Sequence, residues 1–273
     1  PTPPPLSLRA FSSWSVWCRY EYCRKDTLSE LRAVGRWRAI VNRVSDAAPP
    51  ADVKVALAAL RAAEVLGVPV VNGPLAYSLG SSKLCHHALF ERAGLLTPQS
   101  ATVRRGDDLA AAAQSSGLSG PLLLKPNAGG FGAGVSLADE PAGFPAEAVE
   151  SALGADGVAL LQEYLRPAGG EIYRVFFLGQ RVHCAVRVRA PADFNACVHA
   201  VAAEPWQPPQ AVAAAVLRCA ALAGAECGSI ELLFDEEGNA RYFDFNLLST
   251  LPPAARSAYD ELAAHVLLVA QRS

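Results

Sequence analysis

The spacing of apolar residues changes rhythm near residue 125. Before it, VKVALAALRAAEVLG over 53–67 repeats apolar positions at helical spacing and stops at Gly67 and Pro69, and the strand VPVVN follows. Together they predict an α/β unit. Ser81 and Ser82 can cap a second helix, KLCHHALFERAG, after which Thr97 and Pro98 open the strand TPQSATV. A helix over 107–116 and the strand PLLLK complete this half. Beyond Lys125 short apolar runs dominate: VSLA, VALLQEYL, EIYRVFFLG and QRVHCAVRVR, the last two joined at Gly179 and Gln180 into an antiparallel meander. A helix is predicted over 209–223, a hairpin over 229–246 and a last helix over 257–271. Residues 1–50 carry little periodicity beyond a short strand at 38–41, and the Pro-rich stretches Ala47 to Pro50 and Pro205 to Pro209 read as linkers.

The hairpin SIELLF-DEEGNA-RYFDFN is the most informative segment. With Asp235 opposite Ala240, Phe234 faces Arg241 and Glu231 faces Asp244, while Asn246, two residues on, points the same way. Opposed residues have Cβ atoms about 4.5 to 5.5 Å apart, so two carboxylates there repel. The apolar neighbours Ile230, Leu232, Leu233, Phe234, Tyr242, Phe243 and Phe245 keep water from screening them. A hard divalent cation held by carboxylate and amide oxygens would offset the repulsion. On that reading, removing one charge should stabilise the metal-free hairpin. The alternative is a half-exposed edge hairpin whose acids are solvated.

LLLKPNAGGFGAGVSL places a lysine at a strand end and then Gly129, Gly130, Gly132 and Gly134 before a second strand. It is neither a Walker loop, since no GK[ST] opens a helix, nor a dinucleotide fingerprint, since no strand-to-helix turn follows. Glycines let backbone N–H groups approach an anion, and a lysine closing an apolar run needs a negative partner, for which phosphate is apt. The alternative is an ordinary turn beside a surface lysine.

Composition narrows the field. Hydrophobic residues are 51% of the 273 and charged ones 18%, which argues for an ordered globular chain long enough for two or three modules. With 24 Lys and Arg against 26 Asp and Glu there is no nucleic-acid footprint. Seven cysteines without a C-x-x-C pair fit free thiols in a reducing, cytoplasmic setting. No apolar run of 18 predicts a membrane span, and the start lacks a signal-peptide pattern. His86 and His87, being adjacent, make a poor metal pair and are expected on the surface. Arg174, Arg187 and Arg189 lie on strands, Arg187 and Arg189 sharing a face, and could present guanidinium groups to phosphates or a carboxylate; the alternative is solvated-face arginines. Cys197 and His199 share another strand face, with no third member of a triad.

Taken in order, Lys83, KPNAGGFGAGV, QEYL, EIYRVFFLG, RVRAPADFN, GSIELLF and YFDFN resemble the ATP-grasp superfamily, in its glutathione-synthetase and RimK-like ribosomal-protein glutamate-ligase branch. NRVSDA, GVPVVNGPLAYSLGSSK and FDFNLLSTLP are similar to a bacterial group of ATP-grasp proteins, and the likeness spans roughly residues 40–255. The resemblance implies an α+β, ATP-grasp fold in which two α+β subdomains grip ATP. One, over 75–164, carries the flap and the other, over 165–273, the metal site. A short α/β region, 1–74, precedes them and is expected to be truncated. Lys83 and Lys125 would reach the phosphates beneath a flap of Gly129, Gly130 and Gly132. Gln162, Glu163, Tyr164 and Leu165 would form the hinge whose backbone reads the adenine edge, and Glu171 would meet the ribose. Glu231, Asp244 and Asn246 would hold Mg2+ or Mn2+, and Arg187 and Asn195 would serve the reaction on the phosphate side.

The implied reaction is ATP- and Mg-dependent ligation of a small-molecule or peptide carboxylate to an amine such as an amino acid, through an acylphosphate. Two departures bear on it. Phe131 stands where the flap usually carries a small hydroxyl residue, and no arginine separates Phe194 from Asn195. A rival reading is an ATP-binding regulatory protein with weak or no catalysis. A dinucleotide-dependent oxidoreductase would need a G-x-G-x-x-G turn that the chain lacks.

Overall fold

Pro50 in the first turn and Gly67 just past the last bracket helix α1, Pro50–Val65, which buries Ala56, Leu60 and Ala63 along one stripe. The computed structural model describes residues 39–45, 47–130, 132–189, 203–247 and 257–271. Strands β1 (Ile40–Val41) and β2 (Val70–Val71) pair in parallel around α1, the α/β unit expected. Two short helices follow, α2 (Pro74–Gly80) and α3 (Lys83–Arg92). The second starts at Ser82, whose hydroxyl accepts from Cys85 N–H at 3.4 Å. Helix α2 was not anticipated, because PLAYSLG is too short to show helical periodicity.

The next segment builds a four-stranded antiparallel sheet in the order β3-β6-β4-β5: β3 (Ser100–Arg104), β4 (Leu122–Pro126), β5 (Ser136–Ala138) and β6 (Val158–Glu163). Helices α4 (Leu109–Ser115) and α5 (Ala146–Leu153) pack on it, and Val103, Leu122, Leu124, Ala152 and Leu161 fill its core. The Lys-Gly loop thus joins two paired strands, β4 and β5, as the flap reading requires.

A five-stranded sheet follows in the order β11-β10-β7-β8-β9: β7 (Glu171–Leu178), β8 (Arg181–Arg189), β9 (Ala203–Pro205), β10 (Cys227–Phe234) and β11 (Ala240–Asn246). Between β9 and β10 runs α6 (Gln210–Ala223), closed by Gly224 in the left-handed region at φ 61°. The last element is α7 (Ser257–Ala270). Among the described residues no helix is long and apolar enough to cross a membrane.

The larger core lies under this second sheet, where Val175, Phe177, Ile230, Leu232 and Phe245 meet Val216 and Cys219 of α6. Tyr77, Leu89 and Phe90 join the same core, as does Leu60 of α1. Helices α2 and α3 therefore precede the first sheet in sequence yet belong to the second by packing. Lys83 opens a helix rooted in the second sheet, whereas Lys125 stands on the first. Any site using both lysines spans the junction of the two sheets.

Candidate active site

The β10–β11 pairing sets Glu231 opposite Asp244 and Ser229 opposite Asn246, as read from the sequence. Nearer the turn the register differs, for Phe234 pairs with Ala240 rather than with Arg241. Asp235 causes this. Its carboxylate takes the Asn239 N–H at 2.7 Å and Arg241 Nε at 2.8 Å, drawing residues 235–239 into the loop. A bulge then leaves Phe243 unpaired between Tyr242, opposite Leu232, and Asp244, opposite Glu231. The bulge has a consequence for both faces: Tyr242 and Phe245 enter the core, while Asp244 and Asn246 turn the other way with Glu231.

Each acid already has a protein cation or donor. Glu231, 8% exposed, accepts a hydrogen bond from Arg174, its partner across β7, and Asn246 Nδ2 reaches it at 3.2 Å. Asp244 accepts from the same amide at 3.1 Å and faces His86 Nδ1 at 3.1 Å. Burial pushes the Glu231 carboxyl up, against the pull of Arg174. Burial pushes Asp244 the same way, but the His86 hydrogen bond and the nearby Lys83 charge outweigh it and hold that carboxyl below the usual range. Protein groups that the hairpin argument left out thus share in offsetting the repulsion, since Arg174 and His86 flank the pair and Asn246 bridges it. His86 is also not on the surface. It is 2% exposed, its Nε2 lies 3.2 Å from the Gly80 carbonyl, and its ring meets Phe245 edge-on.

The donor set still suits a hard divalent cation, with two carboxylates side by side and an amide whose half-turn would present Oδ1 to the same centre. Among the described residues no three His, Cys, Asp or Glu side chains are gathered to hold a metal. An ion here would rely on Glu231, Asp244 and Asn246, completed by oxygens from a bound phosphate or from water.

Both lysines face this pair. The Asn127 side chain accepts from Ser82 Oγ at 2.8 Å and from Leu84 N–H at 3.2 Å, while its carbonyl takes the Lys83 N–H, which ties the start of α3 to the Gly-rich loop. Lys83 Nζ then reaches the Gly129 carbonyl at 2.8 Å. Lys125 Nζ lies 2.5 Å from Gln162 Oε1 and 5.5 Å from the centre of the Phe243 ring. Its pKa is lowered to about 8, by burial first and then by Lys83, against the opposing pull of Asp244 and Glu231. Gly129 and Gly132 adopt φ 115° and 69°, backbone shapes a side chain would strain, and Gly130 stands between them in sequence.

The remaining expected residues are distributed as follows. In the hinge, Glu163 N–H binds the Gln99 carbonyl and Tyr164 N–H the Pro121 carbonyl, both at 2.9 Å, while Leu165 N–H has no partner among the described residues. Gln162 was expected to act through its backbone, but its side chain is 2% exposed and points inside to Lys125. Glu171 and Arg187 are not brought to the carboxylate pair. Tyr173 pairs with Arg187 and Arg174 with Glu231, so Arg187 and Glu171 lie on the opposite face of the sheet from Glu231. There Arg187 binds Glu204 at 2.7 Å and lies 3.4 Å from Glu171, which accepts from the Tyr173 hydroxyl at 2.6 Å. Asn195, Phe131, Phe194, Cys197 and His199 fall outside the described residues. Sequence reasoning missed His86, His87 and Asn127 as site residues, whereas Arg174, named among the strand arginines that could meet a phosphate or a carboxylate, is the one found on the Glu231 carboxylate.

Comparison with known proteins identifies the fold and the family. The model of the RimK-like ATP-grasp domain matches residues 80–264. A probable alpha-L-glutamate ligase 1 of Shewanella amazonensis is 32% identical over 143 residues, 52% of this chain and 47% of that protein. The chain thus spans about half the length of the curated relatives it matches. Among solved structures, D-alanine–D-alanine ligase of Bacillus anthracis complexed with ATP superposes with a TM-score of 0.68 at 14% identity, covering 100% of this chain and 94% of that one. The ATP-grasp ligase PsnB, complexed with a precursor variant, Mg and ADP, gives 0.57 at 23% identity, covering 80% and 68%. The two antiparallel sheets with the lysines and acids between them are the ATP-grasp fold, and the chain belongs to the RimK-like ATP-grasp family.

Proposed function

We propose that the protein is an ATP- and Mg-dependent carboxylate–amine ligase that forms an amide or peptide bond through an acylphosphate. The observation that carries this reading is that Lys83 and Lys125, from different sheets' packing units, both lie within electrostatic reach of the acid pair formed by buried Glu231 and half-buried Asp244. Two cations beside two acids match a polyphosphate bound with a divalent ion. Glutamate-ligase relatives and an ADP- and Mg-bound neighbour support the same class.

In this reading Lys83 and Lys125 neutralise the phosphates and the glycine loop lets backbone approach them, while Leu165 N–H offers the adenine edge its free donor. Glu231, Asp244 and Asn246 would hold Mg2+, with Mn2+ as an alternative; the ion would supply charge neutralisation at the transferring phosphoryl group. Arg174 and His86 orient the two acids from behind. The substrate carboxylate attacks the γ-phosphate and ADP leaves, giving the acylphosphate; an amine, such as that of an amino acid, then displaces phosphate and loses a proton to give the amide. The flap, 127–135, would exclude the water that competes with the amine. The proposed subdomains in this cycle are 75–164 and 165–273 along the chain, with α2 and α3 of the first packed on the sheet of the second, and cytoplasmic ATP is the donor. A weaker nucleotide-binding role is favoured by one observation, that Arg187 is committed to Glu204 and Glu171 on the other face.

The test is Mg-ATP turnover across a panel of amino acids and short peptides, read as ADP release and as product mass. Turnover that depends on both a carboxylate and an amine supports the ligase. ATP binding without turnover on any pair favours the regulatory reading.

A further inference from the structure

Gln162 is among the most deeply buried polar side chains described, and every polar atom of it is used. Its Oε1 lies 2.5 Å from Lys125 Nζ. Its Nε2 donates to Ser100 Oγ at 2.9 Å and lies 3.0 Å from His87 Nε2. The Lys125 ammonium can only donate, so Oε1 faces it and the NH2 faces Ser100 and His87. That fixes which way the amide points. Burial, then Lys125 and His86, lower the His87 pKa to about 4, and the neutral tautomer protonated at Nδ1 is the one whose Nε2 accepts from that NH2. The backbone supports the same geometry: Gln162 pairs with Ser100 on β3 and with Leu123 on β4, one diagonal step from Lys125.

From this we infer that Gln162, braced by His87 and Ser100, is the positioning residue that sets where the Lys125 ammonium stands at the nucleotide phosphates. Lys125 has four flexible bonds and an ammonium that a water shell would satisfy equally well. A buried carbonyl at hydrogen-bond distance selects one placement before ATP arrives. The inference rests on the reading of Lys125 as a phosphate ligand, and it gives the side chain of a hinge residue a task separate from the adenine-reading backbone.

A double-mutant cycle tests it. Gln162→Leu, Lys125→Ala and the double variant are compared by nucleotide-free melting, as a fold control, and by ATP affinity. Gln162→Leu should weaken ATP by about tenfold when Lys125 is present, the size of a neutral hydrogen bond to a charge, and by under about twofold when Lys125 is already removed. Equal losses in both backgrounds would overturn the inference.

A second measurement keeps the question open to decision if Gln162→Leu folds poorly or if the wild type binds no ATP. The Lys125 side chain is followed by NMR of 13Cε-labelled lysine, assigned through Lys125→Arg. The charged groups facing it are Lys83 from α3, Glu231 from β10 and Asp244 from β11, with the titratable but neutral His87 of α3 beside them, and all of these stay in place. Gln162→Leu removes an acceptor for the charged amine and should lower its titration midpoint by about one pH unit, whereas Gln162→Glu should raise it. Midpoints that do not move in opposite directions would overturn the inference. Wild-type protein without ATP affinity, with the midpoints moving as stated, would instead remove the ligase reading and leave the positioning role standing.

Discussion

His86 Nδ1 lies 3.1 Å from Asp244 Oδ1, deep in the junction between α3 and β11, and this one contact changes what removing the Asp244 charge should do. If Asp244 faced only Glu231, Asp244→Asn would relieve repulsion. Because it also holds His86 and accepts from Asn246, the neutral side chain loses charge-assisted partners worth about 1 to 3 kcal/mol, more than the roughly 0.2 to 1 kcal/mol of a cross-strand repulsion. Asp244→Asn is therefore expected to destabilise the metal-free protein and to lose its Mg-dependent rise in melting temperature. Melts with EDTA and with Mg2+ read both effects.

Lys125 should show two opposite pH dependences. Its pKa is lowered from 10.5 to about 8, so between those values the unfolded chain holds a proton that the folded protein has released. Stability relative to Lys125→Met should then rise with pH across that window. ATP affinity should fall as pH passes about 8, because phosphate attracts the protonated amine. Lys125→Ala should melt near wild type without nucleotide and lose most of the ATP-induced shift. Titration calorimetry from pH 7 to 10, against the variant, separates the two trends.

Arg174 and Arg187 should differ in effect because they lie on opposite faces of one sheet. Arg174→Ala leaves buried Glu231 without its cation and should sharply reduce Mg-dependent ADP release. Arg187→Ala breaks an exposed cluster with Glu204 and Glu171 and should leave Mg-dependent stabilisation intact. The reverse order of effects would return Arg187 to the site.

Gly228 stands against the end of β11. A Cβ there would lie 2.6 Å from the Asn246 carbonyl oxygen and 3.0 Å from the Phe177 ring. Gly228→Ala should cost about 1 to 3 kcal/mol through overpacking and should displace Asn246 from its two acids. Urea melts and the Mg-dependent shift measure the two losses in one preparation.

Asn72, 1% exposed and at φ 57°, pins the loop after β2 to the start of β10. Its Oδ1 accepts from the N–H groups of Glu226 and Cys227 at 3.0 and 3.2 Å, and its Nδ2 donates to the Cys227 carbonyl at 2.9 Å. Asn72→Ala strands these groups and adds backbone strain, for an expected loss of about 2 to 4 kcal/mol. Asn72→Asp keeps the acceptor and should fall between wild type and alanine in the same denaturant series.

By itself the sequence determined what local rules can carry. Strand alternation and a turn of known chemistry placed Glu231 opposite Asp244 with Asn246 beside them, and the strand–lysine–glycine order placed Lys125 at the mouth of a β4–β5 hairpin. The first pairing held even though its local register did not, because the five-residue loop gripped by Asp235 and the bulge at Phe243 shift the chain by compensating steps. Only the tertiary structure decided which side chains from distant segments meet. Helix α3 carries no period that shows it docking on β11, so the burial of His86 against Asp244 could not be read from adjacent histidines. The even spacing of Arg187 and Arg189 was visible, but which face of the sheet holds the acids depends on how α6 and the first sheet cover it. Gln162 was found as part of a hinge, yet its side chain acts inward, because β6 lies between β3 and β4 and brings Ser100 and Lys125 to either side of it. Contacts within a strand pair follow from spacing along the chain; contacts between packed layers follow from shape, and shape is a property of the whole fold.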